Sequence, residues 1–94
     1  MTGSKSARAT VTILNKRGLH ARASAKFVET AARFQSEVTV TKGETSVSGR
    51  SIMGLMMLAA SLGSSVELSA EGPDAQEAVR TLSALIAAKF HEDA

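Results

Sequence analysis

Among the side chains able to do chemistry, His20 has the most suggestive neighbours, Gly18-Leu19-His20-Ala21-Arg22-Ala23-Ser24-Ala25-Lys26-Phe27, where a turn gives way to helix-forming residues. Neutral imidazole is nucleophilic near physiological pH, and a phosphoryl group on a ring nitrogen can be passed to another acceptor. A helix N-terminus adds free backbone N–H groups and the positive end of the helix dipole, which together hold an anion. Arg22 supplies a permanent cation whose forked donors suit phosphoryl oxygens. Gly18 permits a tight approach to the helix, and Leu19 can anchor the turn in the core. The small Ala21, Ala23 and Ser24 are expected to leave the histidine uncovered. A histidine at a turn is more ordinarily a solvated cap, so residue type alone defines only a modest anion site.

The remaining inventory is sparse. With no cysteine, two histidines and nine carboxylates, thiolate metal sites and cysteine nucleophiles are excluded. His20 and His91 have no third ligand at metal-binding spacing, so neither metal nor cofactor is expected. His91, within Lys89-Phe90-His91-Glu92-Asp93-Ala94, reads as a solvated helix end. The chain has 94 residues, 44% of them apolar, enough for one core and one domain. The missing cysteines suit a reducing cytoplasm. The longest apolar run, Ile52 to Leu62, is too short to span a bilayer, so a soluble cytoplasmic protein without membrane insertion is expected. The formal charge is +2 and the pI about 9.4, but the positive charges are scattered. Three phenylalanines with no tyrosine or tryptophan leave little for stacking bases, which argues against a small RNA-binding domain and against nucleic acid as a partner.

Periodicity supplies the elements that must position His20. Residues 1–9 are small, polar and basic and read as a flexible N-terminal tail, with the folded domain over 10–94. Val11 and Ile13 alternate with Thr10 and Thr12 as a strand, and Asn15-Lys16-Arg17-Gly18 breaks it. Phe27, Val28, Ala31 and Phe34 form the apolar stripe of a helix from about Ala21 to Arg33. Val38 and Val40, a Lys42-Gly43-Glu44 turn, then Thr45 and Val47 read as a hairpin. Ser51 is placed to N-cap a second helix whose buried face is Leu55, Leu58, Ala59 and Leu62, with Gly63 as its stop. Val66, Leu68 and Ala70 alternate in a fourth strand. Asp74 with Glu77 resembles a capping box opening a last helix with the stripe Ala78, Val79, Leu82, Leu85, Ile86 and Phe90. The order is βαββαβα. The expected fold is α+β, an open-faced sandwich in which a four-stranded antiparallel sheet is covered on one face by three helices.

Two segments then carry a resemblance. Gly18-Leu19-His20-Ala21-Arg22 closely resembles the active-site signature of the HPr family, the histidine-containing phosphocarrier proteins of the bacterial phosphoenolpyruvate-dependent phosphotransferase system. Ser48-Gly49-Arg50-Ser51-Ile52-Met53-Gly54-Leu55 resembles the family's regulatory-serine segment, and the likeness runs from about Thr10 to Phe90. It implies that His20 accepts phosphate on Nδ1 from phosphorylated enzyme I and gives it to a histidine of an enzyme IIA-type protein, with Arg22 steadying the group. It also implies that Ser51 is phosphorylated by HPr kinase/phosphorylase where that enzyme exists, although N-capping alone accounts for a serine there. The chain departs from the family at Ala23, where proline is common, and at Arg17, where a small polar residue is common and a cation instead falls near the histidine.

Ile52, Met53 and Met56 lie off the predicted core face and suit a docking patch, since methionine adapts to several partners. Lys26, Arg50 and Arg22 would ring it with positive charge. The resulting expectation is a monomeric carrier without turnover of a small substrate of its own. It would serve either sugar uptake or the nitrogen-related regulatory branch. An HPr-like protein that regulates mainly by docking partners is the alternative.

Overall fold

The computed structural model describes residues 5–92. In chain order the elements are β1 (Ser6–Thr12), α1 (Ala21–Ala31), β2 (Glu37–Lys42), β3 (Thr45–Ser48), α2 (Ile52–Met57), β4 (Ser65–Glu71) and α3 (Ala75–Ala87), followed by a 3₁₀ turn at Lys89–His91. The strands form one antiparallel sheet in the order β1-β4-β2-β3. Its helices lie on one face, as the alternation of the strands requires. Among the described residues no helix is long and apolar enough to cross a membrane.

The register explains the core. Val11 faces Val66 across β1 and β4, while Val40 faces Leu68 and Val38 faces Ala70 across β2 and β4. These side chains line the face onto which Phe27 and Ala31 of α1, Leu55 of α2, and Ala78, Leu82 and Ile86 of α3 pack. Removing a large apolar side chain of this kind from water contributes about 1.5–3 kcal/mol each. The opposite face carries Thr39, Thr41, Glu67 and Ser69, which stay partly exposed. Arg8 and Glu67 make an exposed ion pair there at 3.9 Å, worth little in water. The hairpin turns at Gly43-Glu44, with Gly43 at φ +61°.

Several boundaries differ from the sequence expectation, each for a tertiary reason. β1 begins at Ser6 rather than Thr10, because Ser6 to Ala9 pair along β4 from Glu71 to Leu68 and Ala7 and Ala9 pack against the core. The segment assigned to a tail is therefore an edge strand from Ser6 onward, while residues 1–4 lie outside the described residues. α1 ends at Ala31, two residues short of the expected Arg33, as Arg33 and Phe34 donate to Thr30 and Ala31 in tighter turns. α2 stops at Met57 because Ala59 takes a left-handed conformation, φ +53°, the role usually given to glycine at a helix C-terminus. Leu55 and Leu58 are buried as expected, but Ala59 and Leu62 are exposed. Gly63 is not the stop.

Asp74 also departs from its expected role. It stands at the N-cap of α3 but makes no side-chain cap bond. Its carboxylate instead accepts from the amides of Gln35 and Ser36, both at 2.9 Å, and from the Ser36 hydroxyl. The Ser36 hydroxyl bond, then the Gln35 amide, hold the Asp74 carboxyl below the usual range. A depressed carboxylate contributes stability that is complete above its unfolded pKa and lost as pH falls through the folded value. Thermal stability is therefore expected to decline once pH drops below about 4, the ordinary aspartate value, and Asp74→Asn should flatten that decline. Melting curves from pH 6 to pH 2 check it; an equally steep acid slope in the variant would contradict it.

Candidate functional site

The site begins with a turn. Asn15, buried, donates its side-chain amide to the Gly18 carbonyl at 2.9 Å, and the Gly18 amide returns to the Asn15 carbonyl at 3.2 Å. Gly18 has φ +62°, and a Cβ there would lie 2.2 Å from the Ala60 carbonyl oxygen. Leu19, buried, donates its amide to that same carbonyl at 2.9 Å. The turn before His20 is thus pressed against the chain that leaves α2, which ties the two motif-bearing segments together.

His20 occupies the N-cap of α1 with extended backbone, and its ring makes no cap bond. The first helical bond runs from the Ser24 amide to the His20 carbonyl at 2.8 Å, so the amides of Ala21, Arg22 and Ala23 have no backbone partner among the described residues. No acid of α1 itself lies in this first turn, which keeps the dipole's positive end favourable to an anion. The Ser24 hydroxyl donates back to the Leu19 carbonyl at 3.1 Å and fixes the helix start. Arg22 is exposed in the first turn of α1, with no hydrogen bond or ion pair among the described residues. Ala23 is fully buried, so a small residue is what this first turn can accommodate.

The expectation that His20 is uncovered fails. Its side chain is only 15% exposed, because Glu92 from the C-terminal end of the chain sets its carboxylate on Nε2. Glu92 also accepts from the Asn15 amide at 3.2 Å. The hydrogen bond with His20 draws the Glu92 carboxyl below the usual range; burial opposes this, and Asn15, the His20 charge and Lys26 reinforce it. Arg17, the expected neighbouring cation, is exposed. Asn15 and Glu92 are the members that sequence reasoning missed. No spacing signal marks a pair of side chains from opposite ends of the chain.

A left-handed turn delivers Glu92. Lys89, Phe90 and His91 have φ of 57°, 56° and 59°, a conformation that costs about 1–2 kcal/mol per residue. Burial of Phe90 to 0% exposure and a 2.7 Å bond from Lys26 Nζ to the Phe90 carbonyl hold it in place. Phe90 therefore reaches the core as expected, but from this turn rather than from α3. Lys26, expected to ring a docking patch, is committed to the turn. His91 is exposed.

At the second motif Ser51 does N-cap α2, its hydroxyl accepting from the Gly54 amide at 2.9 Å. Ile52, Met53 and Met56 are exposed, Met53 to 72%; so are Met57 and Leu14, which sequence periodicity did not single out, and Leu62, which it placed on the buried face. Arg50 is exposed and donates to the Phe34 carbonyl at 3.2 Å.

An open-faced α+β domain that sets a histidine and an arginine at a helix N-terminus with free amides defines a class of small domains with the chemistry to hold an anion such as a phosphoryl group. Comparison with known proteins gives the family. The family model described as "PTS HPr component phosphorylation site" matches residues 7–88. The chain is 56% identical over 82 residues to the phosphocarrier protein HPr of Neisseria meningitidis, covering 87% of this chain and 92% of that protein. It is 44% identical to the phosphocarrier protein NPr of Shewanella violacea, covering 87% of this chain and 90% of that one. The crystal structure of an HPr from Thermoanaerobacter tengcongensis superposes with a TM-score of 0.89 at 48% identity, covering 94% of this chain and 99% of that chain. The chain belongs to the HPr family of phosphocarrier proteins of the phosphotransferase system.

Proposed function

We propose that His20 is the residue that carries the phosphoryl group, received from phosphorylated enzyme I and passed to a histidine of an enzyme IIA-type protein. The observation that carries this reading is the unspent N-terminus of α1, with its free amides and the unpaired Arg22 beside an imidazole. The imidazole supplies the nucleophile; the amides and Arg22 offset the negative charge of the transferred group. The protein then turns over no small substrate of its own and works as a relay between two partners. Incubation with enzyme I, phosphoenolpyruvate and magnesium should put on it one acid-labile, alkali-stable phosphate. A chain that takes up no phosphate, or only acid-stable phosphate, is not this carrier.

The exposed Ile52, Met53 and Met56, with Met57 and Leu62, form the docking patch in this reading, and Arg50 lends it positive charge. Lys26, with its Nζ bonded to the Phe90 carbonyl, is spent on the C-terminal turn. Ser51 is the regulatory phosphorylation site, placed where added negative charge meets docking partners without disrupting a helix start. Ser51→Ala should abolish acid-stable labelling by HPr kinase/phosphorylase and ATP, and should cost about 1 kcal/mol in urea unfolding through loss of the cap. Labelling that survives the substitution would move the site. Sugar uptake and nitrogen-related regulation both remain compatible destinations, since relatives named HPr and NPr match over similar lengths.

A further inference from the structure

From the contact between the two ends of the chain we infer that Glu92 is a positioning residue for phosphoryl transfer: it fixes the proton of His20 on Nε2 and thereby presents Nδ1 as the nucleophile. The inference rests on the carrier reading of His20. A carboxylate has only acceptors to offer, so its contact with Nε2 requires that nitrogen to carry the hydrogen. In the neutral ring, the nucleophilic form, Nδ1 then holds the lone pair, and among the described residues it has no hydrogen-bond partner. The orienting group is itself oriented. The Asn15 amide donates to the second Glu92 oxygen at 3.2 Å and to the Gly18 carbonyl at 2.9 Å, so one side chain couples the acid to the turn beneath the histidine. Phe90, buried two residues earlier, and the Lys26 bond to its carbonyl fix where Glu92 arrives.

The step balances without a further reactant. The Nδ1 lone pair forms the N–P bond, and the bond from phosphorus to its leaving group on the donor breaks, with the electron pair departing on that group. The Nε2 proton stays where it is. The ring thus gains positive charge as the N–P bond forms, and the Glu92 carboxylate lies against the nitrogen that shares it. Onward transfer reverses this: the N–P bond breaks, its pair returns to Nδ1, and the ring is neutral against the same carboxylate. An ionised partner in a partly screened contact of this kind is worth about tenfold in rate.

The test uses the full chain, with variants Glu92→Gln, Glu92→Ala and Glu92→Asp. In uniformly ¹⁵N-labelled wild type the His20 Nε2 proton should be observable, its exchange with water slowed by the contact, and it should vanish in Glu92→Ala. Initial rates of phosphate uptake from enzyme I and phosphoenolpyruvate should fall about tenfold in kcat for Glu92→Gln, with KM for the carrier unchanged, and Glu92→Asp should recover most of the loss. An unchanged or faster rate in Glu92→Gln, a loss confined to KM, or no wild-type Nε2 proton would overturn the assignment. If wild type takes up no phosphate, the carrier reading fails and the positioning role falls with it; the Nε2 proton then still reports separately whether the contact exists.

Discussion

His20→Ala is expected to take up no phosphate from enzyme I and phosphoenolpyruvate while keeping the fold. The complete loss follows because no other imidazole stands at an open helix N-terminus: His91, the second histidine, is exposed in the left-handed turn after α3. The amides of Ala21, Arg22 and Ala23 and the Arg22 guanidinium would remain in the variant, but such groups can hold an anion without forming a bond to phosphorus. The fold survives because His20 contributes no cap bond to α1 and none of the core. What goes is the contact with Glu92, and Asn15 still donates to that carboxylate. A hydrogen bond to a charged group is worth about 1.5 kcal/mol at the low end, so Tm should fall by about 10 °C or less for a domain of this size. Circular dichroism melts beside the labelling assay check both halves, and uptake equal to wild type would place the chemistry elsewhere.

Gly18→Ala should have the largest effect on stability of any single methyl addition near the site. At φ +62° a side chain is already strained, and the new Cβ would fall 2.2 Å from the Ala60 carbonyl oxygen and 2.8 Å from the Ser61 Cα. Both are backbone atoms, which cannot swing aside as a flexible side chain would. Relief requires the turn to part from the end of α2, and that breaks the Leu19 amide bond to Ala60 and loosens the Asn15 bond to Gly18. Strain plus a lost buried bond amounts to about 3 kcal/mol, or on the order of 15 °C in Tm. Because Leu19 and the turn set the position of His20, phosphate uptake should also fall by about a hundredfold or more, the usual consequence of misplacing a reacting group by about 1 Å. Urea unfolding and labelling rates measure the two effects. A Gly18→Ala protein as stable as wild type would mean that the turn is not pressed against Ala60.

What could be read from the sequence was whatever depends on near neighbours in the chain. Val66, Leu68 and Ala70 alternate in sequence and are buried in β4, because a strand's two faces are set by period alone. Ser51 caps α2 three residues ahead of the amide it receives, a local rule. That His20 and Arg22 stand together at the start of α1 was legible for the same reason. Contacts fixed by packing were not. α2 ends at an alanine in a glycine-like conformation, so Gly63 was a plausible but incorrect stop. Asp74 had a cap motif, yet its oxygens serve Gln35 and Ser36 on a loop 38 or 39 residues away. Glu92 meets His20 across 72 residues, by way of a three-residue left-handed turn containing no glycine. Propensity opposes that turn at every position, and burial of Phe90, the Lys26 bond and the Glu92 contacts with His20 and Asn15 hold it in place.

If His20 carries the phosphoryl group, phosphorylating uniformly ¹⁵N-labelled wild-type protein with enzyme I and phosphoenolpyruvate should reveal the phosphorus–nitrogen bond as a coupling between ³¹P and ring ¹⁵N. One coupled nitrogen per chain is expected, Nδ1 of His20. A phosphorus signal with no nitrogen coupling, or coupling to His91, would contradict the carrier reading of His20.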